Sequence, residues 1–155
     1  MKKIGNNQIF IEFDENNLNG YLIPLRLSIG GEYLGTLDSP TYVVAFINSL
    51  KSLLTDNYYY SNSISDENYE IFFYPEGVVS DNYRITLEET FDDFSKRAAR
   101  NNGTVYFTWF LYPDHFFEYK DNIPNKLVFS KCKTFDLLNL INNFCMELKK
   151  NMMII

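Results

Sequence analysis

Two segments of the chain carry apolar residues at the three- and four-residue steps that place them on one face of an α-helix. The first apolar stripe consists of Val43, Phe46, Ile47, Leu50, Leu53 and Leu54, and the second of Leu137, Leu138, Ile141, Phe144, Cys145 and Leu148. Ser39 is the predicted N-cap of the first helix, Pro40 its first helical residue, and Thr134 the cap of the second. Because each helix has an apolar face, we expect both to pack against a sheet.

Shorter apolar runs between turn-forming residues predict the strands of that sheet, and residues 14–20 predict a loop. The predicted strands cover residues 8–13, 21–29, 32–35, 70–74, 84–87, 104–112 and 127–131. Gly30 and Gly31 suit a two-residue hairpin, and Pro24 indicates an edge strand or a β-bulge because proline has no N–H to donate. The sequence therefore predicts an α+β fold, with an antiparallel sheet of five to seven strands packed against two long amphipathic helices.

Two stretches permit more than one structure. Residues 55–69 predict a long exposed connection, in which the three tyrosines at 58–60 form either a loop or the start of a strand. Residues 88–102 form either a short helix, ended by Gly103, or the end of a strand followed by a hairpin. The last four residues, 152–155, are predicted to fold back onto the body.

Length and composition indicate one folded domain over residues 1–155. Aromatic residues make up 17% of the chain, so we expect some of them on the surface. No apolar run is long enough for a membrane span, and the start of the chain lacks the apolar stretch of a secretory signal. We therefore expect a cytoplasmic protein without a membrane partner, in which Cys132 and Cys145 are free thiols rather than a disulfide.

The charge distribution bears on the partner. The net charge is -6, and residues 1–93 hold fifteen Asp and Glu against five Lys and Arg. Residues 94–155 hold five acidic against nine basic residues. Nucleic acids require a basic surface, so this distribution argues against a nucleic-acid partner and favours a basic protein partner. Solubility explains an acidic surface equally well.

The sequence offers little catalytic chemistry. His115 stands beside Asp114 and near Glu118, so a small enzyme with an oriented general base is one interpretation, and a solvated loop histidine is the other. Adjacent acids such as those at 88–89 and 92–93 suggest a carboxylate pair for glycoside hydrolysis, but a solvated face explains them more simply. Neither nucleotide-binding nor metal-ligand spacing occurs. We predict no catalytic residue, no metal site and no cofactor.

Several short motifs resemble a known family. They are GGEYLGT followed by DSPTYVVAFINSL, the aromatic strand VYFTWFLY with the sole Trp109, and the terminal helix after KLVFSKCKTF. In this order they are similar to small bacterial immunity proteins that accompany polymorphic toxins, including those of contact-dependent growth inhibition, and most similar to the immunity protein 42 family. The resemblance implies a cytosolic antitoxin that binds a cognate toxin domain and blocks it without chemistry of its own. It implies no particular contact residues.

The residues themselves suggest where such a partner would bind. Carboxylates imitate phosphates, and tyrosines serve as anchors that lose their water on docking. The predicted partner-binding residues are Tyr58, Tyr59, Tyr60, Asp66, Glu67, Tyr69, Glu70, Glu88, Glu89, Asp92 and Asp93. Ordinary solvated surface is the alternative for each of them. A structural or adaptor homodimer that pairs through an exposed sheet edge is a further alternative to the immunity protein.

Overall fold

The computed structural model describes residues 1–17 and 20–151. Its strands are β1 (Lys2–Gly5), β2 (Ile9–Phe13), β3 (Leu22–Ile29), β4 (Glu32–Tyr42), β5 (Phe94–Asn101), β6 (Thr104–Leu111) and β7 (Val128–Lys133). Its α-helices are α1 (Val43–Thr55), α2 (Tyr69–Phe73) and α3 (Thr134–Lys150). The α+β class is confirmed. The expected single sheet is wrong, because β1-β2-β3-β4 and β5-β6-β7 form two separate antiparallel sheets.

Both sheets and the two long helices share one main core. Phe13 of β2 packs edge-on against Phe144 of α3, and Phe107 of β6 belongs to the same buried cluster. Two side chains tie the sheets together: Trp109 Nε1 donates to the Tyr33 carbonyl at 3.2 Å, and Ser130 Oγ donates to the Ile29 carbonyl at 2.7 Å. The second sheet therefore packs on the first through one of its faces, and its other face is left for a different part of the chain.

The first hairpin forms as predicted, but the first helix starts later than predicted. Gly30 and Gly31 have φ angles of 60° and 86°, and the register of β3 with β4 shifts after Pro24. Ser39 and Pro40 are not the cap and first residue of α1, because β4 continues through them to Tyr42. Pro40 lies opposite Pro24 in the ladder, where neither residue has an N–H to leave unpaired. Sheet pairing thus outweighs the local capping signal.

Three assignments between the helices need correction. The predicted strand at 70–74 is instead helix α2, because Tyr69, Phe72 and Phe73 follow the helical steps of three and four residues. The predicted strand at 84–87 makes only one isolated bridge, and Leu87 in it has a φ of 62°. The helical alternative for 88–102 is wrong: β5 runs into a hairpin at the turn before Thr104.

The C-terminal helix is confirmed, but the predicted cap is wrong, because Thr134 is the first helical residue and Lys133 is the N-cap. Cys132 is buried and Cys145 is half-buried, and both are free thiols as expected. Strand β1 was not predicted. Residues 18–19 of the predicted loop and the predicted fold-back of residues 152–155 lie outside the described residues.

Candidate partner-binding surface

Residues 56–83, named here the acidic segment, cover the outer face of the second sheet. This segment contains six carboxylates and no lysine or arginine. Its Ile64 and Phe73 are buried with Ala99 of β5 and Tyr106 of β6 in a small core, separate from the main one. Tyr69 of α2 adds a tilted stack on the Tyr106 ring, with 5.1 Å between ring centroids. The acidic segment is therefore attached to the sheet by its own apolar contacts.

Polar contacts hold the same segment in one conformation. Asn101 donates from Nδ2 to the Ile64 carbonyl at 2.9 Å, and Tyr60 forms an isolated parallel bridge with Arg100. The Arg100 guanidinium donates to the Leu53 carbonyl at 2.8 Å and to the Asp56 carbonyl at 2.7 Å, which fixes the point where the segment leaves α1. Hydrogen bonds of this kind reduce the conformational freedom that a partner would otherwise have to remove on binding.

The exposed side of the segment mixes acids with apolar side chains. On α2, the side chains of Glu70 and Ile71 point to solvent while Phe73 is buried, and Ile71 is 72% exposed. Glu67 precedes this helix and Val78 follows it, both exposed. Protein interfaces combine an apolar centre with a polar rim in this way. The sequence analysis missed both exposed apolar side chains, because it placed Ile71 in a strand and assigned Val78 to no element.

Seven of the predicted partner-binding residues lie on the acidic segment. They are Tyr58, Tyr59, Tyr60, Asp66, Glu67, Tyr69 and Glu70. Five are exposed, whereas Tyr59 and Tyr69 are half-buried. The Tyr59 hydroxyl donates to the Arg84 carbonyl at 3.0 Å, and burial is the main cause that raises its pKa. The structure therefore divides the tyrosines into two exposed rings, Tyr58 and Tyr60, and two rings that hold the segment in place.

Asp66 is exposed but already has partners within the chain. Its Oδ1 accepts hydrogen bonds from Lys131 Nζ at 3.0 Å and from the Tyr106 hydroxyl at 2.8 Å. The hydrogen bonds from Lys131 and then from Tyr106 lower the pKa of Asp66. Burial and the bond to Asp66 raise the pKa of Tyr106 to about 12. In contrast, Glu67 and Glu70 form no ion pair with any residue in the described ranges.

The other four predicted residues lie elsewhere. Glu89 and Asp92 are exposed, outside the acidic segment. Glu88 is only 9% exposed, and its two carboxylate oxygens accept the backbone N–H groups of Tyr42 and Thr90. The carboxylate of Glu88 thus sits at the N-terminus of α1, where a negative charge is favourable. Both carboxylate oxygens of Glu88 are therefore used to stabilise the fold.

Asp93 is also committed to the fold. Its oxygens accept the N–H groups of Phe116 and Phe117 at 2.9 and 3.0 Å and the Tyr119 hydroxyl at 2.8 Å. Burial disfavours the charged form of Asp93, but these hydrogen bonds outweigh it and lower its pKa. Because the two N–H groups are held in place, the Phe116 side chain is directed into solvent, where it is 87% exposed. No sequence signal marked Phe116 as an exposed ring.

His115 lies in the same loop and is half-buried. Its Nδ1 donates to the Phe117 carbonyl at 2.6 Å, and its ring packs edge-on against Tyr119. Asp114 and Glu118 are exposed, and neither makes a hydrogen bond to the His115 ring in the described part of the chain. The arrangement of an imidazole oriented by one of these carboxylates is therefore not present in this structure.

Within residues 1–17 and 20–151, no three His, Cys, Asp or Glu side chains come together as they would to hold a metal ion. No helix there combines the length and the apolar character that crossing a membrane requires.

Comparisons with known proteins support the fold. No protein-family model matches the chain, and no curated protein sequence matches it. The structure is similar to the crystal structure of CdiI from Burkholderia dolosa AUO158, with a TM-score of 0.56 over 94% of this chain and 99% of that one. The two sequences are 11% identical. The expected resemblance to an immunity protein of contact-dependent growth inhibition is thus confirmed at the level of the fold. The narrower assignment to the immunity protein 42 family stays a prediction.

Proposed function

We propose that this protein is an immunity protein, which binds a cognate toxin domain of a contact-dependent growth inhibition system and neutralises it. The observation that carries the proposal is the likeness to CdiI, since it extends over nearly the whole of both chains. The chain acts by occupying a surface of the toxin and performs no chemical step. Fold alone does not determine function, so the proposal also depends on a surface suited to a protein partner.

The acidic segment is the proposed toxin-binding surface. It presents Glu67 and Glu70 without ion-pair partners among the described residues, and it presents Ile71 beside them. Tyr58 and Tyr60 contribute exposed aromatic rings at the other end of the segment. A toxin that acts on nucleic acid needs a basic substrate-binding face, and this surface has the opposite charge. Binding there would keep the substrate away from the toxin.

The proposal is tested by co-expression with the toxin domain encoded next to this protein. Bacteria that produce the toxin alone should stop growing, and bacteria that also produce this protein should grow. Equal growth arrest in both cultures would refute the immunity function. A direct binding measurement on the purified pair, by isothermal titration calorimetry, would then show whether a complex forms.

The position of the surface is tested by charge reversal. The double substitution Glu67→Lys and Glu70→Lys should weaken toxin binding by at least about tenfold at low salt, mainly through slower association. The matched control is Asp114→Lys with Glu118→Lys, because these acids are also exposed and the net charge changes by the same amount. Loss of binding in the control alone would place the toxin on the loop that carries His115.

The same control addresses the alternative of a small enzyme. Asp114 and Glu118 are the carboxylates that would orient His115 in that interpretation, so the control and His115→Ala should both remove an enzymatic function. Under the immunity proposal, both variants still protect cells that produce the toxin.

A further inference from the structure

An apolar groove of about 690 Å³ runs between the C-terminal end of α1 and the first half of α3. Its apolar lining consists of Leu54 from α1 and Phe135, Leu138 and Ile141 from α3. Phe135 is 67% exposed and Leu138 is 47% exposed, so the two helices leave part of their apolar surface in contact with water. A contiguous exposed apolar surface of this kind marks a site of interaction.

The same side of α3 stays apolar beyond the groove. Leu138, Asn142 and Met146 follow one another at steps of four residues, which places them on one side of the helix. Met146 is 59% exposed, and it continues the apolar surface towards Asn151, the C-cap of the helix. Helix α3 therefore has an exposed apolar surface in addition to the face that packs in the main core.

The residues that follow α3 in the sequence have a composition that suits such a groove. Residues 152–155, which lie beyond the described residues, are Met152, Met153, Ile154 and Ile155. Burial of each of these four large apolar side chains is favourable. An apolar groove at the surface of the same protein is therefore a suitable place for them.

Most of the groove of their own chain is out of reach of these four residues. At a rise of about 1.5 Å per residue, Leu138 lies about 20 Å along the helix axis from Asn151. Four residues span at most about 14 Å when they are fully extended. They therefore reach the near rim of the groove at Asn142, but neither Leu138 nor Phe135.

A second copy, with its α3 antiparallel to the first, brings the groove within reach. In a twofold pair of helices, two residues face each other when they lie equally far from the axis. Leu138 and Met153 are equally far from a point beside Met146, so an axis at that point sets Asn151 of the second copy beside the groove. The four residues after it then extend over Leu138 towards Phe135.

We propose that this protein forms a twofold-symmetric dimer through α3, in which residues 152–155 of each copy occupy the groove between α1 and α3 of the other. Met146 of one copy meets Met146 of the other at the axis. Asn142 lies opposite Lys149, whose ammonium group can donate to the Asn142 side-chain oxygen. None of the residues that line the groove belongs to the acidic segment, so the dimer does not depend on the proposed immunity function.

The test is the mass of the purified full chain in solution, measured by sedimentation velocity over a range of concentrations. The parent protein should have twice the mass of one chain at high concentration. Leu138→Asp and Met153→Lys should each raise the dimer dissociation constant at least about hundredfold, because the symmetry places each new charge in both grooves. The matched control is Ile123→Asp, which changes an exposed aliphatic residue outside the groove and should leave the constant unchanged.

The register of the dimer is tested by combining the two substitutions. In one chain, Leu138 and Met153 are too far apart to touch, since Met153 stands only two residues beyond Asn151. Across the proposed dimer they face each other, so Leu138→Asp together with Met153→Lys forms an ion pair there. The double variant should therefore dimerise at least about tenfold more tightly than either single variant.

Each result decides for or against the proposal. A dimeric parent, two weakened single variants, an unchanged control and a recovery in the double variant would support it. A parent that stays monomeric would overturn it and leave a different protein as the occupant of the groove. A dimer that Leu138→Asp does not weaken, or that Ile123→Asp weakens equally, pairs through another surface such as a sheet edge, which also overturns the proposal.

The variant outside the groove keeps the test decisive if Leu138→Asp fails to fold, which circular dichroism would show. A dimer that Met153→Lys does not weaken would exclude residues 152–155 as the occupant, and this too would overturn the proposal. The measurement needs no toxin, so its failure is distinct from a failure of the immunity function.

Discussion

Glu88 and Glu89 are neighbours in the sequence, and we predict that their removal has very different effects on stability. Glu88→Ala deletes a carboxylate that accepts two backbone N–H groups, those of Tyr42 and Thr90. A hydrogen bond to a charged group contributes about 1.5–3 kcal/mol, which gives an upper range of about 3–6 kcal/mol for the pair. Glu88 lines a cleft of about 420 Å³, in which water can replace part of the lost hydrogen bonding. We therefore expect Glu88→Ala to lower the free energy of unfolding by about 2–4 kcal/mol.

The matched control is Glu89→Ala, because Glu89 is exposed. We expect that variant to remain within about 0.5 kcal/mol of the parent protein. Glu88→Gln should lie between the two, since the amide keeps one oxygen to accept a hydrogen bond. Urea denaturation at neutral pH, followed by the fluorescence of the buried Trp109 and by far-ultraviolet circular dichroism, measures all three. Equal midpoints for Glu88→Ala and Glu89→Ala would refute the inference that Glu88 stabilises the start of α1.

Three further predictions concern titratable groups. Because the pKa of Asp93 is lowered in the folded state, its hydrogen bonds stabilise the protein above about pH 4, and this contribution is lost as the pH falls through the folded pKa. The difference in stability between the parent and Asp93→Asn should therefore shrink in acid unfolding titrations. The pKa of Lys96 is lowered to about 8, so the folded state binds fewer protons than the unfolded state above that pH. The free energy of unfolding of the parent should therefore rise by about 1–3 kcal/mol relative to that of Lys96→Met between pH 8 and 10.5, as measured by urea denaturation. A difference between the two proteins that stays constant over this range would contradict the assignment. Burial raises the pKa of the Cys132 thiol to about 12, whereas Cys145 is only half-buried; a thiol reagent should label Cys145 in the folded protein and Cys132 only after unfolding, as mass spectrometry can show.

The elements with a long periodic pattern could be predicted from sequence, and the short ones could not. Helix α3 has 17 residues with a regular apolar face, so one or two irregular positions did not obscure it. Helix α2 has 5 residues, and an apolar run of that length fits a strand equally well. Strand β1 contains a single large apolar residue, Ile4, and exists because it pairs with β2. The division into two sheets depends on pairings between distant residues, which no local pattern encodes.

The candidate surface could be predicted only in part, because local composition is visible in the sequence and contacts between distant residues are not. The carboxylates and tyrosines that are interleaved in the acidic segment are visible in the sequence, and they led to Glu67 and Glu70. The difference between Glu88 and Glu89 is not visible there, because it depends on the N–H of Tyr42, 46 residues away. Lys96 and Arg97 likewise lie in a run of polar and small residues that gives no sign of burial.

The small core beneath the acidic segment has a consequence for how such proteins diverge. Ile64, Phe73, Ala99 and Tyr106 form a cluster of their own, distinct from the one that unites the helices and both sheets. Substitutions on the exposed side of the acidic segment therefore leave the main core intact. Under the proposed function, an exchange of this single stretch of about thirty residues would change the toxin that is recognised, while the rest of the polypeptide continues to fold as before.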